Sequence, residues 1–290
     1  MFRMGTVGMA ALVAFTVVGL SHVGLAAQEQ GDVEVSEKDS SQAQAPVLKA
    51  LEIRIVQDNY RCGDALETAW GFAAYVTGPD ERLLFDTGSN GDLLLRNMAK
   101  LDIAPDRVDT VILSHVHADH TGGLVGFLKQ HSDVDLYCLA SFPARFKDVA
   151  RGYGARLVEV DLPQQICENV FTTGSMGKRI HEQALVVRTD VGLVIVTGCA
   201  HPGVVKMIER VKTLHEQDIA LVIGGFHLGW AKPRQIEEIM NALDRLGVRY
   251  VAPTHCSGDI ARTLFEKRFG ARYIKVGVGK TITLADLKQP

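Results

Sequence analysis

The stretch "SHVHADHTGG", residues 114–123, places His115, His117, Asp119 and His120 within six positions of a chain that holds ten histidines. Imidazole nitrogens and carboxylate oxygens are the donors that bind zinc at about 2.0–2.2 Å. Alternate side chains of an extended segment point the same way, so His115 and His117 can grip one cation from one side. Asp119 and His120 follow after a turn and can face a second position. Two ions roughly 3.5–4 Å apart clamp both the attacking and the leaving atom of a hydrolytic displacement. Solvated loop histidines are the competing reading, and so dense a cluster of ligand types argues against it. The pattern predicts a metal centre.

Such a centre needs elements to position it. "VDTVILSH" (108–115) is a short apolar strand that ends at the cluster, and three more apolar strands finish at a histidine. These are "ALVVRTDVGLVIVTGCAH" (184–201, two strands about Asp190), "IALVIGGFHL" (219–228) and "VRYVAPTHCSG" (248–258). They bring His201, His227 and His255 to strand ends, and strand ends along one edge of a sheet converge on one cavity. Earlier strands are expected at 51–58, 71–78 and 82–88, the last two joined by a turn at Gly78-Pro79-Asp80, with late strand material at 273–284. Helical spacing marks 91–103, 121–132, 203–217 and 233–247. The mix predicts an α/β fold, a four-layer αββα sandwich with two sheets inside, helices outside and the metal site at the strand-end edge.

The HxHxDH string after an apolar strand, preceded by "LLFDTG" and followed by "TGG", resembles the metallo-β-lactamase-fold superfamily over about residues 50–285. "TGCAHPG", "GGFHL" and "PTHCSG", in this order, resemble the branch that includes the archaeal dihydropterin ribofuranosyl-aminobenzene phosphate synthase-like proteins. The resemblance implies that a first metal takes His115, His117 and His201, and a second takes Asp119, His120 and His255. Asp86, in "FDTG", matches an aspartate that buttresses the histidine loop; read from its own neighbours it could equally form a turn. Many members carry Thr-Gly-Asp, with a metal-bridging aspartate, where this chain has Thr197-Gly198-Cys199. Cys199 is then either a thiolate ligand or a buried neighbour. The commoner layout also puts a histidine about where His181 stands, but "GCAH" favours His201. His227 is either a substrate-contacting acid or electrophile or a core histidine satisfied by backbone. His22, His131 and His215 are expected to be inert.

The chemistry so implied is hydrolysis of an ester, phosphoester, lactone or amide bond in a small-molecule substrate by a metal-activated hydroxide, with Asp119 orienting it and His227 stabilising developing charge. Two zinc ions are the expected cofactor, although the same ligand types also suit iron or manganese. Two alternatives stay open: a mononuclear iron thiol or persulfide oxygenase of the same fold, and a non-catalytic metal-dependent binding protein. Diiron reductases of this fold show a glutamate where this chain has His117, which disfavours that version.

At 290 residues, 47% hydrophobic, the chain can bury a large core. Its net charge of −3, with scattered lysines and arginines, argues against nucleic acid as a partner. Residues 1–27, with Arg3, an apolar run and small residues around Ala26 and Ala27, read as a signal peptide, or else as an uncleaved N-terminal anchor. Residues 28–46 read as a disordered linker and 47–290 as the domain. A periplasmic or secreted location follows, with membrane contact only through an uncleaved N-terminus. The five cysteines show no CxxC and no framework spacing.

Overall fold

The computed structural model describes residues 47–288, Asp64 excepted. The expected leader (1–27) and linker (28–46) lie outside the described residues. Among the described residues, no helix is long and apolar enough to cross a membrane.

The first sheet is built from β1 (Glu52–Gln57), β2 (Ala73–Thr77), β3 (Leu83–Phe85), β4 (Thr110–Ile112), β5 (Asp135–Leu139) and β6 (Arg156–Val160). The second contains β7 (Gln164–Cys167), β8 (Val170–Thr172), β9 (Leu185–Thr189), β10 (Gly192–Thr197), β11 (Ile219–Gly225) and β12 (Tyr250–Thr254). A last strand, β13 (Thr281–Thr283), returns to the first sheet, giving the orders β13-β1-β2-β3-β4-β5-β6 and β12-β11-β10-β9-β8-β7. The helices are α1 (Gly91–Lys100), α2 (Ala118–Thr121), α3 (Leu124–Gln130), α4 (Ala144–Gly152), α5 (Val204–Leu214), α6 (Pro233–Arg245) and α7 (Asp259–Phe269).

Strand alternation makes the layers. In β10, Val194 and Val196 enter the core between the sheets, with Ile53, Phe85 and Ile223, while Leu193 and Ile195 face the other way. That outer face packs on Met207 of α5, Ile236 of α6 and Phe265 of α7. The outer face of the first sheet, through Leu84 and Val111, packs on Leu94 and Met98 of α1 and Phe127 of α3. Both sheets are covered on both faces, so their strands read as continuous apolar runs. The four-layer αββα architecture is the expected one.

Strand direction positions the site. β3, β4, β5 and β6 run parallel, as do β10, β11 and β12. β1 is antiparallel to β2, and β2 to β3, so β1 runs with β3 and β4. The carboxyl ends of β1, β3 and β4 therefore share one edge of their sheet, and those of β10, β11 and β12 share one edge of theirs. Asp86, His115, His201, His227 and His255 all follow these ends within a few residues.

The late strand expected over 273–284 is confined to Thr281–Thr283. Residues 274–279 instead lend single backbone groups to separate partners: Ile274 donates to Val251 O (2.9 Å), Val278 to Tyr60 O (2.8 Å) and Gly279 to Ile55 O (2.8 Å). That path crosses between the sheets and cannot form one continuous ladder.

Candidate metal centre

Two groups of donor atoms meet where the sheet edges come together. In the first, His115 Nε2 lies 3.1 Å from His117 Nδ1 and 3.2 Å from His201 Nε2, and His201 Nε2 lies 3.2 Å from His117 Nδ1. In the second, His120 Nε2 lies 3.2 Å from both Cys199 Sγ and His255 Nε2. Asp119 Oδ2 completes it at 3.3 Å from His255 Nε2 and 3.7 Å from His120 Nε2. The groups adjoin, with the His115 and His120 ring centroids 4.2 Å apart.

The protons on these rings follow from the hydrogen bonds behind them. Ser114 donates its backbone N–H to Asp86 Oδ1 and its hydroxyl to Asp86 Oδ2, both at 2.7 Å. With its only proton given to Asp86, Ser114 Oγ accepts from His115 Nδ1 at 2.9 Å. His120 Nδ1 donates to Asp86 Oδ2 at 2.7 Å. Asn59 donates its amide to His255 O at 3.1 Å and accepts from His255 Nδ1 at 2.9 Å. Each arrangement places the proton on Nδ1 and leaves Nε2 bare. Bare nitrogens of His120 and His255 at 3.2 Å cannot hydrogen-bond each other. A shared cation resolves such a contact, since tetrahedral ligands at about 2.0–2.1 Å stand roughly 3.3 Å apart. The donor sets fit divalent metal, and each group can hold one ion.

The electrostatics agree. Burial and the neighbouring imidazoles push His115 far below the ordinary histidine value. Burial, with His227 and His117 nearby, takes His201 down to about 4. Burial raises Asp119, but the hydrogen bond to His255 and the charge of His120 pull it below the usual carboxylate range. Neutral imidazole and ionised carboxylate are the forms that metal binding requires. Burial lowers His120 but Asp86 draws it up on balance, the effect a carboxylate has on the basicity of a ligating ring.

A sequence pattern described as the metallo-beta-lactamase superfamily matches residues 71–213. The chain is 30% identical over 250 residues to a 7,8-dihydropterin-6-methyl-4-(beta-D-ribofuranosyl)-aminobenzene-5'-phosphate synthase of Methanocaldococcus jannaschii, covering 71% of this chain and 85% of that protein. It belongs to the metallo-beta-lactamase superfamily. Among solved structures it resembles Tm1679, described as a metal-dependent hydrolase of the beta-lactamase superfamily, with TM-score 0.68, 28% identity, and coverage of 80% of this chain and 98% of that one. It shares its fold with the metallo-beta-lactamase fold protein YhfI of Bacillus subtilis at TM-score 0.62 and 14% identity, over 81% and 99% of the two chains. Members of the metallo-beta-lactamase superfamily are generally enzymes that bind divalent metals.

Against the superfamily pattern, Cys199 stands in the second donor group in place of an aspartate, buried beside His120. The structure brings together all six expected ligands and sets Asp86 behind them. His181, the rival to His201, is exposed and bonded to Ser175 Oγ at 3.0 Å, away from both groups. His227 is exposed, with its ring centroid 4.4 Å from that of His201, and the sulfur of Cys256 draws it above the ordinary histidine value. It is no core histidine. His131 and His215 cap α3 and α5 at their C-termini and join neither donor group, and His22 lies outside the described residues.

Four supporting residues were not expected from the sequence. Asn59 holds His255, and Ser114 holds His115. Trp70, 59% exposed, donates its indole N–H to Asp119 Oδ2 at 2.9 Å. Glu182, wholly buried, accepts the backbone N–H groups of Cys199, Ala200 and His201 at 2.8, 2.7 and 2.8 Å. Asn59 follows the carboxyl end of β1, so the strand-end rule applied to polar residues as well as histidines finds it. Glu182, inside "IHEQA", carries no such signal.

The backbone is strained here. Of six non-glycine residues with positive φ among the described residues, four border the centre: Asp86 (58°), Ala200 (58°), His227 (53°) and His255 (51°). Each costs of order 1 kcal/mol, which the surrounding packing must offset. Gly198 is needed for a different reason: a Cβ there would stand 2.1 Å from Ser114 Oγ and 3.1 Å from Asp86 Oδ2. Gly198→Ala is therefore expected to displace the Asp86–Ser114 clasp and to destabilise by about 3 kcal/mol, with loss of bound metal. Urea unfolding and elemental analysis of the variant check both, and an unaltered midpoint would refute the clash.

Asp58, behind the same edge, accepts the Thr254 hydroxyl at 2.6 Å and the Tyr60 N–H at 2.9 Å, and burial pushes its carboxyl up from 3.8 to about 6. A folded value above the unfolded one favours folding in the protonated form. That contribution is full below 3.8 and disappears as pH rises through about 6. In metal-free protein, Asp58→Asn should raise Tm relative to the parent more at about pH 8 than at about pH 4. Equal shifts at the two pH values would contradict it.

Proposed function

We propose that the protein is a metal-dependent hydrolase of a small molecule, acting on an ester, phosphoester, lactone or amide bond with two divalent ions, zinc first among them. One observation carries the reading: two adjoining groups of inward-facing donors whose far sides are locked by Asp86, Ser114, Asn59 and the Glu182-held turn. Ions held there by these residues would supply Lewis acidity and lower the pKa of a bound water to about 7. The chain's own part is orientation and proton handling. The Trp70 indole fixes Asp119 Oδ2 and leaves Oδ1 to orient an attacking water. His227, exposed beside His201, stands where it can donate a proton to the leaving atom. The resemblance to a metal-dependent hydrolase at 28% identity supports this; the synthase activity named for the archaeal relative is not carried over. The reading includes a periplasmic or secreted location, on the strength of residues 1–27 alone.

The test is metal content per chain, on protein purified without chelator or added metal, together with turnover of a phosphodiester, an acetate ester and a lactone. Near two zinc ions per chain, and turnover that a chelator removes and zinc restores, are the expected results. One iron per chain with thiol-dependent oxygen uptake would replace the proposal with the oxygenase reading.

A further inference from the structure

A cavity of about 540 Å³ opens beside the three-histidine group, and His201 and His227 form one wall of it. Lys178, Arg179 and Lys206 line the rest of its charged surface, and no carboxylate lines it. Among the described residues, none of the three cations has an ion pair or side-chain hydrogen bond of its own. Their placement is built. Lys178 and Arg179 sit at the tip of a tight loop closed by the Met176 and Glu182 backbones, which exchange hydrogen bonds of 3.0 and 2.8 Å. The side chain of that same Glu182 clasps the turn carrying His201. The basic tip and the ligand-bearing turn are thus tied to one buried carboxylate. Lys206 lies in the first turn of α5, whose N-terminus has no side-chain cap, and Pro202, just before that helix, also lines the cavity.

We infer that this cavity is the anion subsite of the active site and takes the phosphate group of a small phosphorylated substrate, with the bond to be cut lying towards His201. The inference rests on the hydrolase reading and narrows its substrate class. Three cations and an uncapped helix N-terminus favour a dianion over a carboxylate. The planar guanidinium of Arg179 matches two phosphate oxygens at once. Met176 and Ile180 give the same cavity apolar wall for the organic part of the molecule.

The experiment is calorimetric titration of the metal-loaded protein with phenyl phosphate and with benzoate, metal content being measured in every sample. Phenyl phosphate is expected to bind at least about tenfold tighter than benzoate, and Arg179→Ala and Lys206→Ala are each expected to weaken it about tenfold. Lys129→Ala, on α3 outside the cavity, should leave binding unchanged. Affinity unaltered in both cavity variants would overturn the inference, because phosphate would then be held by the metals alone. Benzoate binding equally well would overturn the phosphate class. A short single-stranded oligonucleotide displacing phenyl phosphate at far lower concentration would overturn the small-molecule reading. Failure of the protein to take up metal on loading, with phenyl phosphate still held through Arg179 and Lys206, would sink the hydrolase proposal while leaving the subsite standing.

Discussion

His201→Ala is expected to empty the three-histidine group and to lower turnover at least about a thousandfold, since the Lewis acid supplies several kcal/mol and each 1.4 kcal/mol is tenfold. The fold should survive, because the turn that carries His201 is held through its backbone by Glu182 and not through the imidazole. Elemental analysis should show one ion fewer per chain beside an unchanged circular dichroism spectrum. His181→Ala is the matched control. Among the described residues its ring bonds to Ser175 Oγ alone and joins neither donor group, so metal content and turnover should match the parent. Loss of metal in His181→Ala with retention in His201→Ala would reverse the assignment.

Glu182→Ala has the larger effect on stability. The carboxylate is wholly buried and is the acceptor for three consecutive backbone N–H groups. Alanine leaves those donors unpaired away from water, at about 1–3 kcal/mol each, so the domain should lose at least about 3 kcal/mol. For a domain of this size that lowers Tm by about 10 °C. Glu182→Gln keeps one acceptor oxygen but turns an amide N–H₂ towards the donors, and an intermediate loss is expected. Because Cys199 and His201 both sit on this turn, metal should be lost from both groups together. Urea unfolding with and without bound metal measures it. A loss under about 1 kcal/mol for the alanine variant would mean the turn is held by other contacts.

The fold was legible where the pattern is local. The apolar runs ending at His115, His201, His227 and His255 are strands because both faces of each sheet are covered, and hydrophobicity alone records that. The reading of 273–284 as strand failed because Ile274, Val278 and Gly279 give their backbone groups to partners on different strands. An apolar run does not say which ladder, if any, accepts it.

The site divides in the same way. His115, His117, Asp119 and His120 announce themselves because one loop must present ligands to two positions, and that requirement compresses into six residues. The side chains behind them are not clustered in that way. Asp86 reaches His120 across 34 positions, Glu182 reaches His201 across 19, and Asn59 reaches His255 across 196. Asp86 is marked only by its place in "FDTG", while Asn59 and Glu182 are single polar residues in loops, indistinguishable by type or spacing from their solvated neighbours. What the sequence determined by itself is the donor chemistry, the strand-end placement and the layered fold, since these rest on residue type and short-range periodicity. The pattern "GCAH" favours His201 over His181, and the tertiary structure alone decided that Cys199 joins the second group and that Lys178, Arg179 and Lys206 share one cavity. Those choices depend on which loops meet at the sheet edge, and the energy that fixes a meeting point lies in contacts between residues far apart along the chain.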